Sequence, residues 1–320
     1  MKNPSETDTF REALSAAHST ALLLDGGLGT HLAQRGNDVS GELWSAQILK
    51  DRPEEVRAAH ADFFAAGAQL ATTCSYQVSF DGLVQSRDGA TLEETEELLR
   101  TSVRLASEAA ELADGFAPRW VAASVGPYGA GPGAGTEYDG AYGLSVAELA
   151  QWHRGRLRIL ADSGAHVLIC ETVPSLAEVQ ALAGEVAGLG LPVLLSLTVR
   201  TAEDGEVVLG DGSSLREAAR IANDSGAFAA LGVNCCPVPV ALSAVKMLRE
   251  VTDLPLMAYP NSGEIWDREA RRWIPGTSGT DLPQAVPELI AAGARLIGGC
   301  CRVSPEQITR LRDELGSFRA

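Results

Sequence analysis

The sequence predicts an α/β chain folded as one (β/α)8 TIM barrel. Three observations predict it. Short apolar runs alternate with longer amphipathic stretches eight times. The runs are almost continuously apolar, as strands of a parallel sheet buried on both faces must be. A small-Gly-Ala tripeptide recurs before several runs (Ala66-Gly67-Ala68, Ser163-Gly164-Ala165, Ser225-Gly226-Ala227, Ala292-Gly293-Ala294), where glycine serves as a helix stop. A doubly wound parallel sheet is the other arrangement open to this alternation.

Taken in order, the expected strands are Ala21–Asp25, Leu70–Tyr76, Trp120–Gly126, His166–Val173, Pro192–Val199, Phe228–Cys235, Pro255–Ser262 and Leu296–Cys301. The helices between them are Pro53–Gly67, Leu92–Ala113, Val146–Ser163, Leu176–Ala187, Ser214–Ser225, Val238–Val251 and Leu282–Ala292. A last helix, Pro305–Leu315, opens on Ser304-Pro305-Glu306: an N-cap, a proline at the first helical position and an acidic first turn. One domain is expected over residues 1–320, with 1–20 as an N-terminal extension. The segment Phe228 to Val245 is the longest uncharged stretch, but Asn234, Pro237 and Pro239 make it strand, loop and helix rather than a membrane span.

Among 320 residues, 26 Lys and Arg stand against 42 Asp and Glu, a net charge of -16. Nucleic acid and anionic membrane are excluded as partners by that balance. The six cysteines do not read as a disulfide framework in a chain this long. Met1 to Arg11 is polar and lacks a secretory apolar core, so a reducing cytoplasm is expected. Nothing in the pattern sets an oligomeric state.

A barrel of this kind carries its active site at the C-terminal strand ends. There the sequence places Asp25-Gly26-Gly27, Thr73-Cys74-Ser75-Tyr76, Ser124 to Pro127, Glu171-Thr172, Asn234-Cys235, Tyr259 to Glu264, and Gly299-Cys300-Cys301. Adjacent cysteines can both ligate one soft metal ion where the backbone turns, and Gly298 and Gly299 permit close packing there. A third thiolate comes from Cys235-Cys236. Three thiolates with one open position describe a catalytic zinc site that holds an incoming thiol ionised. Two rim carboxylates, Asp25 and Glu171, suit an ammonium group. A thiol plus an ammonium describes an amino-acid thiol such as homocysteine. The competing motifs fail: Leu32 stands where a dinucleotide fingerprint needs its third glycine, Gly131 to Gly135 lacks the Lys-Ser/Thr of a phosphate loop, and no Gly-x-Ser-x-Gly elbow occurs.

At these residues the sequence resembles the homocysteine S-methyltransferase family. The resemblance rests on Gly232-Val233-Asn234-Cys235 and Gly298-Gly299-Cys300-Cys301. It is supported by Ser124-Val125-Gly126-Pro127-Tyr128-Gly129 and Tyr259-Pro260-Asn261-Ser262-Gly263-Glu264, and it runs from about Leu22 to Leu311. It is most similar to the short branch that uses S-methylmethionine or S-adenosylmethionine. The resemblance implies zinc on Cys235, Cys300 and Cys301, with Cys236 a bystander. It also implies that Asp25 and Glu171 bind the homocysteine ammonium, and that amides near Gly26, with Thr73 or Ser75, take its carboxylate. Asn261 would fill the open metal position in the absence of substrate, and Asn234 would orient the cysteine loop. Trp44 and Tyr76 are the candidates to face the sulfonium. No adenosine site is evident, which puts S-methylmethionine ahead of S-adenosylmethionine. The segments Gly129–Tyr142, Arg200–Asp211 and Glu264–Gly279 are expected to form a lid. Two other readings stay open: methylation of another thiol or selenol such as selenocysteine, and a non-catalytic barrel with a structural zinc.

Overall fold

The computed structural model describes residues 4–17, 21–39, 44–85, 90–114, 118–131, 136–263, 265–267, 272–274 and 281–317, with backbone alone for 4–7, 44, 84–85, 265–267 and 272–274. The barrel strands are β1 (Leu22–Leu23), β2 (Leu70–Thr72), β3 (Trp120–Val125), β4 (Val167–Val173), β5 (Val193–Leu197), β6 (Ala230–Asn234), β7 (Leu256–Tyr259) and β8 (Ala294–Ile297). They pair in parallel in the order β1-β8-β7-β6-β5-β4-β3-β2, and a parallel bridge between Leu24 and Leu70 joins the two ends of the sheet. The helices that follow them are α1 (Pro53–Ala66), α2 (Leu92–Leu112), α3 (Val146–Ala161), α4 (Leu176–Glu185), α5 (Leu215–Ser225), α6 (Val238–Arg249), α7 (Leu282–Ala291) and α8 (Pro305–Ser317). The expected (β/α)8 barrel is therefore the fold. Among the described residues no helix is long and apolar enough to cross a membrane.

Local chemistry sets the helix ends. Thr91 with Glu94 and Ser145 with Glu148 form capping boxes at α2 and α3, while Ser175 and Ser214 cap α4 and α5. Gly67, Gly164, Gly226 and Gly293 all have positive φ, which accounts for the recurring tripeptide.

Inside the ring, alternate residues of the strands meet: Leu70, Ala122, Ile169, Leu194, Ala230, Met257 and Leu296 form one buried cluster. Gly232 makes room for its neighbour, since a Cβ there would fall 2.3 Å from Met257 Cγ. The N-terminal segment is a helix, Pro4–Ala16, whose Phe10 and Leu14 join this same cluster. Phe10 meets the Trp120 ring edge-on at 5.6 Å, and Trp120 Nε1 donates to Thr9 Oγ1 at 3.1 Å. Residues 4–16 thus stopper the end of the barrel opposite the cysteines. A second, larger cluster fills the layer between strands and helices.

The sequence pattern did not announce three short helices, Leu28–Gln34, Trp44–Asp51 and Phe80–Gln85, nor two antiparallel hairpins. One hairpin, Val199–Thr201 with Val207–Leu209, lies in the loop after β5; the other, Ile265–Asp267 with Arg272–Ile274, lies after β7. The second sits inside a segment expected to form the lid, and the first does so but for Val199. Residues 132–135, 264, 268–271 and 275–279 of the expected lid segments lie outside the described residues.

Candidate active site at the C-terminal rim

Cys235 follows β6, and Cys300 and Cys301 follow β8, with β7 between them in the sheet. Their three sulfurs lie within 4.8 Å of one another, and Cys235 Sγ and Cys301 Sγ are 3.6 Å apart. Close backbone approaches make this possible. A Cβ on Gly298 would fall 2.6 Å from Leu24 Cβ, and one on Gly299 2.2 Å from Val303 Cγ1. Gly299 N donates to Asp25 O at 2.9 Å and Cys300 N to Pro260 O at 2.8 Å, so the cysteine pair is hung between the first and seventh strand ends. Hydrogen bonds from the Cys300 and Cys301 thiols hold the Cys235 thiol well below its usual range. The thiols of Cys300 and Cys301 are pushed up because Cys235 already carries the shared negative charge.

Among the described residues, three other than glycine adopt left-handed φ, and all border this site: Thr172 at 60°, Cys235 at 51° and Arg302 at 67°. Each such conformation costs about 1–2 kcal/mol without compensating contacts. The compensation is visible. Asn234 Oδ1 accepts from Thr172 N at 2.9 Å and from Ser196 Oγ at 2.8 Å, while its Nδ2 donates to Thr172 Oγ1 at 2.8 Å.

The two carboxylates also converge. Glu171 Oε2 accepts from Tyr259 Oη at 3.1 Å, and Oε1 from Ser124 Oγ. Asp25 Oδ2 accepts from Thr72 N at 2.8 Å. Burial pushes the Glu171 carboxyl up to about 7. It also raises Asp25 well above its usual range, with the Glu171 charge adding to the rise. Two carboxylates are thus buried near each other, and among the described residues none of the hydrogen bonds to them comes from a cationic side chain.

A cavity of about 140 Å³ opens onto the three sulfurs and Glu171, walled by Gly26, Thr73, Tyr76, Glu137, Tyr138 and Tyr259 among others. This trio is the only group among the described residues with metal-ligand geometry. The residues fit a metal ion. Asn261 adds support: its side chain helps to lower the Cys235 thiol, and its Oδ1 is buried without a partner among the described residues.

The sequence model of the homocysteine S-methyltransferase family matches residues 22–315. The chain belongs to that family. The homocysteine S-methyltransferase of Escherichia coli (strain K12) is 39% identical over 297 residues, spanning 91% of this chain and 94% of the relative. The selenocysteine Se-methyltransferase of Brassica oleracea var. italica is 35% identical over 328 residues, spanning 98% of this chain and 93% of the relative. The crystal structure of the homocysteine methyltransferase MmuM from Escherichia coli, in a metallated form, matches with a TM-score of 0.79 at 37% identity, covering 92% of this chain and 96% of that one.

As a homocysteine S-methyltransferase family member, the chain brings most of its expected site residues to one rim, but not all to the cavity wall. Gly26 is on the wall, seated by a close approach in which a Cβ would fall 2.3 Å from Val303 O. Asn234 is fully buried behind the cysteines and serves as a brace. Ser75 is buried beside the wall: its hydroxyl donates to Ser124 O at 2.7 Å and accepts from Thr73 Oγ1 at 2.7 Å. Thr73 Oγ1 also accepts from Ser124 N at 3.0 Å. Together the two hydroxyls fix the end of β3, with Thr73 on the cavity wall. Trp44 opens its helix, and its side chain lies outside the described residues.

Sequence reasoning missed Tyr138, whose Oη lies 3.4 Å from Cys235 Sγ, and Glu137 beside it on the cavity wall. Their signal was an acid–aromatic pair inside the loop already marked as a lid. That loop is anchored at its start by Glu178 Oε1, which accepts from Tyr128 N at 2.7 Å and pairs with His153 Nε2 at 2.8 Å.

Proposed function

We propose that this chain transfers a methyl group from a sulfonium donor, S-methylmethionine or S-adenosylmethionine, to the thiol of homocysteine, forming methionine. Zinc is the proposed metal, held by Cys235, Cys300 and Cys301. The observation that carries the reading is the sulfur trio opening into a cavity that also holds buried carboxylates. A tetrahedral zinc–thiolate site, with bonds of about 2.3 Å, separates its sulfurs by about 3.8 Å, and the spacing of this trio supports it. Bound zinc would supply the charge that keeps the acceptor sulfur ionised at neutral pH.

The protein's own groups do the rest. Asp25 and Glu171 receive the acceptor's ammonium and are relieved of their mutual repulsion by it. Asn234 and Thr172 keep the Cys235 loop in its strained form. Tyr138 covers the sulfurs and keeps water off them. The acceptor thiolate then forms its bond to the methyl carbon as the carbon–sulfonium bond breaks. That electron pair stays on the donor sulfur, which leaves as a neutral thioether, so no general base is needed. Six free thiols suit the reducing cytoplasm expected from the sequence.

The test is methionine formation from homocysteine with each donor offered separately at equal concentration. No methionine from either donor overturns the reading. Selenocysteine as acceptor is the second reading, favoured by the similarity to a selenocysteine Se-methyltransferase, and direct acceptor competition separates the two. A purely structural zinc would be closed by a fourth protein ligand and indifferent to added thiol.

A further inference from the structure

The described residues lining the cavity include two carboxylates, Glu171 and Glu137, and no Lys, Arg or His. Glu171 faces Asp25 and, on the reading above, is satisfied by the acceptor's ammonium. Glu137 has no role in that account, yet its position is built with care. It sits in a tight turn in which Asp139 N and Gly140 N both donate to Thr136 O, at 3.3 and 3.0 Å. Three glycines seat the turn. A Cβ on Gly129 would fall 2.6 Å from Glu137 N. One on Gly210 would fall 2.1 Å from Tyr138 O. Gly140, at φ +64°, lies against Ser175 and Asp211. The turn is wedged between the loops after β4 and β5, so Glu137 is held at the cavity rather than left on a wandering loop. The aromatic residues Tyr76 and Tyr138 share its wall, and the Glu137 charge reaches both hydroxyls.

We propose that Glu137, backed by Tyr76 and Tyr138, is the residue that recognises the positive charge of the methyl donor. The proposal rests on the sulfonium-dependent reading given above and goes beyond it in assigning the donor's counter-charge. A carboxylate against aromatic faces is a good site for a sulfonium and a poor one for a neutral thioether. The donor's charge disappears as the methyl group leaves. Glu137 therefore holds the charged donor more firmly than the uncharged product, and product release is built into the same contact. The sulfonium is already losing charge in the transition state, so Glu137 stabilises the bound donor at least as much as the transition state. Its removal raises KM for the donor and leaves kcat unchanged or slightly higher.

The experiment is calorimetric titration of the metal-loaded protein without homocysteine, so that no transfer occurs, first with S-methylmethionine and then with its uncharged analogue methionine. The wild type is expected to bind S-methylmethionine at least tenfold more tightly. Glu137→Gln is expected to lose that preference to within threefold, with methionine affinity and homocysteine affinity unchanged, and Glu137→Asp to recover part of it. Kinetics on the same proteins should show the donor KM rising at least tenfold at constant kcat. A Glu137→Gln protein that keeps the preference, or that loses methionine binding equally, overturns the assignment. A wild type that makes no methionine from homocysteine overturns the underlying reading instead, so the two failures are distinguishable.

Discussion

Asn234 and Thr172 clasp each other across the barrel rim, the amide of one accepting from the backbone N–H and donating to the hydroxyl of the other at 2.9 and 2.8 Å. The clasp joins the end of β4, where Glu171 lies, to the end of β6, where Cys235 lies. Thr172 and Cys235 both stand in left-handed conformations beside it. Asn234→Ala should cost about 2–3 kcal/mol, because the Thr172 N–H is buried and loses its partner. Thr172→Gly in the same background should return part of that loss by relieving the backbone. Urea unfolding of the four proteins of the double-mutant cycle measures the coupling, and strict additivity would deny the clasp.

The sulfur trio and its neighbour Cys236 make a clean contrast. Cys236 is buried, with its thiol pushed up by desolvation, and lies apart from the trio. Cys301→Ser should reduce bound metal from one ion per chain to less than a tenth and abolish turnover, whereas Cys236→Ala should keep both. Elemental analysis of the purified proteins decides it.

The Glu171 carboxyl, raised to about 7 from 4.5, has two consequences. Below pH 7 it is protonated and a poor partner for an ammonium, so KM for homocysteine should rise as pH falls through 7, and Glu171→Gln should flatten that limb. In the ligand-free protein the sign for stability is opposite. A raised pKa gives stability that is full below about 4.5 and lost as pH rises through 7, an effect of about 3 kcal/mol. Thermal melts at pH 5 and 8 should therefore show Glu171→Gln gaining on the wild type only at the higher pH.

His60 is fully buried on α1, and neither ring nitrogen has a hydrogen-bond partner. Burial pushes its pKa down to about 4, so it stays neutral in the fold while an unfolded chain takes up a proton below 6.5. Stability should thus decline as pH falls from 6.5 through 4. His60→Leu should remove that decline and add about 1–3 kcal/mol at neutral pH by deleting two unsatisfied polar atoms. Melting curves of the two proteins between pH 4 and 7 would show parallel behaviour if the histidine were irrelevant.

Gly210 and Tyr138 touch through their backbones, leaving no room for a side chain at position 210. Gly210→Ala should shift Tyr138 off Cys235 and reduce kcat about tenfold while the melting temperature moves little. An unchanged kcat would mean that the cover over the sulfurs tolerates displacement.

The barrel was legible because its signals are local: eight apolar runs, glycine stops such as Gly67 and Gly226, and caps such as Ser304. The convergence of three sulfurs was legible through the family resemblance and the paired spacing of Cys300-Cys301 against Cys235. The braces were not, because Ser196, Tyr259 and Thr172 earn their places only through distant strands. The bond from the Ser75 hydroxyl to Ser124 O was hidden for the same reason, since its partner lies on another strand. Glu137 and Tyr138 escaped because a turn held by Gly129, Gly140 and Gly210 draws on three separate loops.

The seam between β1 and β8 carries a consequence for biogenesis. A ribosome delivers β1 first, yet its partner strand and the Gly298–Cys301 tip emerge only about 270 residues later. Until then the first strand has only β2 beside it, Phe10 has no closed ring to stopper, and Cys235 has no companion sulfurs. A nascent chain halted before residue 298 should neither retain a metal ion nor resist protease, whereas full-length product should acquire both properties together.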